Sequence, residues 1–335
     1  MLYKQILKEC LRVYWLRAGT GAVPPILAKL KETGRKRQRM KIFNLGLISG
    51  LVLVVFGTLV LDAAQSTPQQ KEMKPEVVSL LVRKLYAAPA EGEELVKLQA
   101  SLEEAIRAVE ADPDSLEAII AWGRALAGLW RYHEAIEVYS KGIMAHPDEA
   151  MLYRHRGHRY ISIRDFGRAV SDMAKAAALS DKDFDIWYHL GLAHYLRGEF
   201  DEARTAYESC LKVAADDDSK IAVSNWFHAT LRRLGQEEDA AKVLGGISEG
   251  MKVEENTSYL NLLLFFKGLK TEDEVLTWAA NSELDAATVG YGIGCWHLYG
   301  GQKEKARGFF EKIVTGRYWP AFGFIAAEAE LARMK

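Results

Sequence analysis

Two hydrophobic patterns run along the chain. One is a block: residues 42–61, IFNLGLISGLVLVVFGTLVL, make twenty successive positions without a charge. Coiled as a helix the block is about 30 Å long, the thickness of a bilayer's hydrocarbon core, so it predicts a transmembrane or signal-anchor helix. The other pattern is periodic. Beyond about residue 100, apolar positions recur at helical spacing between turn residues, which predicts pairs of amphipathic helices.

The second pattern repeats at a fixed length. Segments 119–147, 153–181 and 187–215 superpose without gaps and place Gly123, Gly157 and Gly191 34 residues apart. Twelve residues after each glycine stands Ala135, Ala169 or Ala203. Four further on stands Tyr139, Met173 or Tyr207, and three beyond that Gly142, Ala176 or Cys210. Small residues at these places let two helices of a hairpin approach closely, and the large residue between them fills the remaining space. Pro113 and Pro147 stop helices ahead of new units.

The best repeats are thus 116–149, 150–183 and 184–217. A weaker unit spans 221–253, where Gly235 and Ala240 keep their spacing but His228 replaces the packing glycine, after an inserted DDD at 216–218. Residues 254–284 are degenerate, and Gly294, Ala306 and Phe310 restore the pattern over 287–320. SLEEAIRAVEADP (101–113) reads as the second half of an earlier unit. PAFGFIAAEAELARM (320–334) reads as a capping helix over the exposed apolar end.

This glycine, alanine, aromatic and proline pattern at this period resembles the tetratricopeptide repeat family. The resemblance covers roughly 100–320. It implies an all-α solenoid of antiparallel helix pairs, within a repeat domain placed at 75–335, and a role in binding other proteins. In such an array the first helices line the concave side. The positions expected there are Arg124, Arg154, His158 and Tyr188, followed by Tyr195, Asn225 and Arg232, with Tyr291 and Tyr299 at the far end. Arginine and tyrosine along a groove suit an extended acidic or carboxylate-bearing peptide. Family members that clamp a C-terminal carboxylate use a Lys/Asn set. Here Ile120 and Arg124 hold the first unit's positions, so that activity is not carried over.

Charge adds direction. Residues 1–61 hold 11 Lys/Arg against 2 Asp/Glu; the remainder holds 33 against 43, a net of −10. A folded part this acidic argues against nucleic acid as a partner. Seven Lys/Arg lie in the twenty residues before the apolar block and two in the twenty after it, which keeps the basic segment 1–41 in the cytoplasm. The linker 62–74 and the repeats then lie outside, in a bacterial envelope. The alternatives are cleavage near Ala63-Ala64 after a start at Met40, giving a secreted or periplasmic protein, or an anchored assembly factor in an organelle.

Candidate chemistry is sparse. His189 and His194 sit roughly 140° apart around a helix and cannot chelate one ion. His194 shares its repeat slot with Leu126, Tyr160 and Leu231, a packing position. His155 and His158 share a face, but Arg154, Arg156 and Arg159 surround them and repel a metal ion. Cys10, Cys210 and Cys295 form no CxxC and no disulfide framework. No HExxH, GxSxG or Walker loop occurs, and GYGIG (290–294) lies inside a helical pattern. The expectation is a membrane-tethered interaction scaffold with no catalytic site, cofactor or metal.

Overall fold

The 34-residue period becomes a stack of helix pairs. The computed structural model describes residues 74–87 and 91–335; the readings for 1–41, 42–61 and 62–73 lie outside the described residues. A long helix α1 (Gly92–Ala111) leads into three pairs at the repeat period. These are α2 (Leu116–Gly128) with α3 (Tyr132–Ala145), α4 (Ala150–Ser162) with α5 (Phe166–Leu179), and α6 (Phe184–Arg197) with α7 (Phe200–Val213). Next come α8 (Asp217–Arg233) with α9 (Glu237–Gly245), α10 (Thr257–Phe266) with α11 (Glu272–Ala279), and α12 (Glu283–Tyr299) with α13 (Lys303–Val314). Helix α14 (Phe322–Arg333) ends the array. The degenerate stretch 254–284 is therefore also a helix pair, shortened rather than lost.

Local chemistry sets the boundaries. Ser115, Asp165, Asp183 and Asp216 each accept a backbone N–H from the first turn of the helix they precede. The turn inside each pair needs one left-handed residue, and the strict period puts it at Trp130, Arg164 and Gly198, with positive φ at each. The inserted acids do structural work at the next joint. Asp217 accepts from Lys252 N at 2.9 Å, and Asp218 from Glu254 N and Asn256 N at 2.8 and 2.9 Å, so they clamp the loop that enters α10.

The glycines act by close approach. A Cβ at Gly123 would stand 2.3 Å from the Tyr139 ring, one at Gly191 2.5 Å from the Tyr207 ring, and one at Gly294 2.5 Å from Phe310. The large residue sixteen positions on, rather than the small one, is what seats on the missing side chain. Ala135, Ala169, Ala203 and Ala306 are fully buried beside these contacts. At Gly157 the facing group is the flexible end of Met173, at 3.0 Å. His228 stands where a glycine was expected, and its ring stacks on Phe266 at 4.8 Å.

Two features depart from a plain helical array. Ahead of α1, β1 (Val77–Val78) pairs antiparallel with β2 (Lys84–Leu85), and Val77 and Leu85 are buried. The last helix does more than close an end. Helix α14 packs on α12 and α13 and also reaches back to α6. Its Gly323 lies so near α12 that a Cβ there would stand 2.4 Å from the Ala287 carbonyl oxygen. Among the described residues, no helix is long and apolar enough to cross a membrane.

Candidate protein-docking surface

The inner faces of α4, α6 and α8 were expected to be open, and they are largely covered. The Phe322 ring at the start of α14 lies 5.4 Å from His158, 5.8 Å from His189 and 6.4 Å from Tyr188. Tyr188 is buried and its hydroxyl faces that of Tyr259 at 3.4 Å. Tyr195 is fully buried, hydrogen-bonded to Tyr291 through the two hydroxyls at 2.8 Å. Asn225 is buried beside Trp226. Arg232 lies over the rings of Tyr299 and Trp296, at 5.2 and 5.8 Å. Of the seven positions assigned to a peptide groove, only Arg124 is exposed; Arg154, His158 and Arg232 are partly buried. Two parts of the array take the place assigned to a ligand: α14 reaches His158 and His189 through Phe322, while Tyr259 of α10 and Tyr291, Trp296 and Tyr299 of α12 cover Tyr188, Tyr195 and Arg232.

What fills the space is acidic, as the groove's charge requires. Glu328 pairs with Arg164 at 2.9 Å, with both side chains buried. Glu330 pairs with Arg233 at 2.8 Å and with Arg333 at 2.9 Å. Burial lowers the Arg233 pKa, and the Glu330 carboxylate with Tyr195, Tyr291 and Tyr299 together outweigh it and raise it overall. Arg333 in turn donates to the Tyr195 carbonyl at 3.1 Å, satisfying an acceptor at the end of α6. Just before α14, the Trp319 carbonyl accepts from Arg164 at 2.9 Å, and the Trp319 indole N–H donates to the Tyr86 carbonyl at 2.7 Å.

One end of the inner face remains. No hydrogen bond, ion pair or ring contact among the described residues joins α14 to Arg124, Arg154 or Arg159. Arg154 pairs with Asp185 and donates to His155 Nδ1 at 3.2 Å, while its Nε is buried without an acceptor. The Arg159 guanidinium sits over Tyr132 at 5.1 Å, and burial lowers its pKa. Burial first, then Arg154, Arg159 and Arg124, push His155 down to about 3. Burial and Arg159 hold His158 well below the ordinary range, and burial and Arg154 do the same to His189. The rings of His158 and His189 lie 4.3 Å apart, both neutral.

His189, His194, Cys210 and Cys295 make packing or polar contacts. His189 is buried, with Nδ1 2.6 Å from the Asp185 carbonyl. His194 is partly exposed and pairs with Glu199 at 2.8 Å. Cys210 and Cys295 are buried free thiols, and burial pushes the latter up to about 12. Among the described residues no group of side chains is arranged to hold a metal ion. The periodic pattern did not single out Arg164, Arg233, Glu328, Glu330 or Phe322. One signal for them exists: Glu328 and Glu330 stand in a helix whose other positions from 322 to 332 are apolar or small all round, the mark of a helix buried on every side.

Comparison with known proteins follows the geometry. Residues 184–217, the pair α6–α7, match the family model described as tetratricopeptide repeat. Tetratricopeptide repeat protein 13 of Homo sapiens is 29% identical over 152 residues, 45% of this chain and 17% of that protein. Small glutamine-rich tetratricopeptide repeat-containing protein 2 of Saccharomyces cerevisiae is 26% identical over 113 residues, 34% of this chain and 32% of that protein. The chain thus spans less than a third of the length of these curated relatives. Among solved structures, YrrB, described as a TPR protein with an unusual peptide-binding site, aligns at 15% identity and a TM-score of 0.42, covering 70% of this chain and all of that one. The chain carries a tetratricopeptide repeat at 184–217, set within an all-α, tetratricopeptide-like solenoid of stacked helix pairs.

Proposed function

We propose that this chain is a membrane-tethered docking protein, a scaffold rather than a catalyst, whose repeat domain meets partner proteins outside the cytoplasm. The tether is the uncharged run 42–61, and its orientation follows the seven-to-two excess of Lys/Arg on its N-terminal side. The bacterial envelope suits that topology. The tetratricopeptide relatives support protein binding as the class of function.

The observation that carries the docking reading is the uneven filling of the inner face. Helices α12 and α14 cover it from His158 through Arg233, while Arg124 at the α2 end stays exposed. An acidic segment of a partner fits there, as the chain's own acidic helix fits beyond it. The test has two parts. Alkaline washing of membranes should leave the full chain in the pellet; release into the wash contradicts the tether. A photo-crosslinking residue at Arg124 should capture partner proteins that one at the outward-facing Lys212 does not, and equal capture contradicts the inner-face assignment.

A further inference from the structure

We propose that the hairpin β1–β2 is a membrane-contact site, which lays Val78, Val82 and Tyr86 in the interface of an anionic phospholipid bilayer. This rests on the tethered reading above and adds to it a contact surface and an orientation. Backbone conformation gives the first sign. Among the described residues three that are not glycine have positive φ: Val82, Trp130 and Arg164. Two of them gain contacts by it. Trp130 packs edge-on against Tyr318 and Trp319, and Arg164 pairs with Glu328.

Val82 is different. Its φ is 62°, a region that a β-branched residue enters only under strain, yet its side chain is 79% exposed. Glycine or asparagine would suit the position better. The turn is nonetheless built to hold that conformation. The hydroxyl of the buried Ser79 accepts from Leu81 N and Arg83 N, both at 3.1 Å, and its carbonyl accepts from Val82 N at 2.9 Å. The Ser79 N–H donates to the Arg83 carbonyl at 2.8 Å, and the Arg83 guanidinium donates to the Val314 carbonyl. An ordered tip thus presents an apolar side chain outward. Strain kept at an exposed place points to a contact beyond the fold.

The outer face of the hairpin has the same character. Val77 and Leu85 pair on the buried face. Val78 and Lys84 pair on the other, where Val78 is 56% exposed, and Tyr86 is 39% exposed just after β2. A strand pair with one solvated face ordinarily carries polar residues there. Here valine and tyrosine stand among basic groups. Residues 74–86 hold Lys74, Arg83 and Lys84 against the single acid Glu76, a net of +2 in a domain whose remainder is acidic. Glu76 is itself engaged, accepting from His133 N at 2.7 Å.

Length and charge choose the occupant. Only twelve residues, 62–73, separate the end of the uncharged run from Lys74, a length that spans at most roughly 40 Å however it is arranged. The hairpin is therefore within reach of the bilayer surface. Basic groups are drawn to anionic headgroups, while apolar and aromatic side chains favour the boundary between headgroup and acyl chain. The acidic helices are repelled by the same surface, so the hairpin faces the membrane and the array stands away from it.

The experiment uses the full chain, with Cys10→Ser, in vesicles of phosphatidylglycerol and phosphatidylcholine that include lipids bearing a nitroxide on the acyl chain. Cys210 and Cys295 are buried, so a polarity-sensitive fluorophore attaches at one introduced thiol, Val78→Cys or Lys212→Cys. At Val78→Cys the emission should shift to the blue and be quenched by the nitroxide; at Lys212→Cys it should do neither. Adding Val82→Asn should cut the quenching at position 78 roughly threefold or more. In detergent micelles the same variant should melt no lower, because asparagine accepts this φ. A valine with only a structural role would behave the other way, with lower melting and unchanged quenching. Quenching absent at position 78, or unchanged by Val82→Asn, overturns the contact. A blue shift there without quenching also overturns it and puts a second copy of the chain on the hairpin. Alkaline washing of the same vesicles reads the tether separately. Chain retained in the pellet without quenching at position 78 overturns the contact and leaves the tether. Chain that shows quenching and is then released by the wash upholds the contact and removes the tether.

Discussion

Arg164 and Glu328, 164 residues apart in the sequence, form an ion pair at 2.9 Å with side chains only 2% and 1% exposed. Arg164 is the left-handed turn residue between α4 and α5, with φ of 67°. The equivalent positions one repeat earlier and later also meet the C-terminal segment. The Trp130 ring packs edge-on against Tyr318 and Trp319 at 5.3 and 5.4 Å, and Gly198 lies beside Arg333. The turns of three successive repeats therefore form a row against residues 318–333. A non-glycine residue at such a φ costs on the order of 1 kcal/mol, which the contacts to that segment offset.

Removing one partner of this pair leaves a buried charge unmatched. Glu328→Ala should destabilise the domain by about 3–5 kcal/mol, read as a fall in the urea midpoint at unchanged slope. The double change Arg164→Met with Glu328→Leu should recover most of that loss, because no charge is then left in the core. A single change with no effect on the midpoint would mean that α14 is not seated there.

The glycine contacts predict a graded series. Gly191→Ala drives a methyl into the Tyr207 ring and should cost about 1–3 kcal/mol. Gly157→Ala should cost clearly less, because the end of Met173 can rotate away. A gain in stability at both positions, as helix propensity alone predicts for Gly→Ala, would show that close approach does not govern the repeat.

The helix pairs were legible because the repeat writes them in small and large residues at fixed places. Gly123 with Tyr139 and Gly191 with Tyr207 are local pairings, sixteen residues apart, that periodicity can reveal. The occupied groove was not legible. Tyr188, Tyr195 and Asn225 sit where a regular array faces solvent, but they are buried, Tyr188 against Tyr259 of α10 and Tyr195 against Tyr291 of α12, 71 and 96 residues on. Periodicity marks α14 as a helix, and the apolar or small residues all round it mark it as buried, but neither says what its Glu328 and Glu330 meet.

Acid should weaken the domain through the neutral histidines. An unfolded histidine titrates near 6.5, whereas His155 in the fold lies at about 3 and His158 and His189 well below 6.5. Below pH 6.5 the unfolded chain takes protons that the folded chain refuses, so the stability is complete above that pH and is lost as the pH falls through 6 and 5. Each such imidazole contributes a slope of about 1.4 kcal/mol per pH unit at most. Urea midpoints between pH 7.5 and 5 should follow this, and His155→Gln should flatten the slope. A midpoint constant over that range would contradict the buried neutral cluster.

Gly323 tests the seat of α14 from its other side. A methyl at this position meets the Ala287 carbonyl and the Thr288 backbone, which cannot rotate away, so Gly323→Ala should displace the start of the helix. The domain should melt lower, and the intrinsic tryptophan emission should shift to the red as Trp319 and Trp226 gain contact with water. Wild-type melting and emission would place the α12–α14 contact elsewhere.

Amide hydrogen exchange on the full chain reads the occupied groove most directly. If α14 is a buried strut of the solenoid, amides of 322–333 should exchange as slowly as those of α6, opening only with the whole domain. Exchange of that segment within the dead time, with α6 still protected, would show a terminal helix lying loose and the inner face open along its whole length.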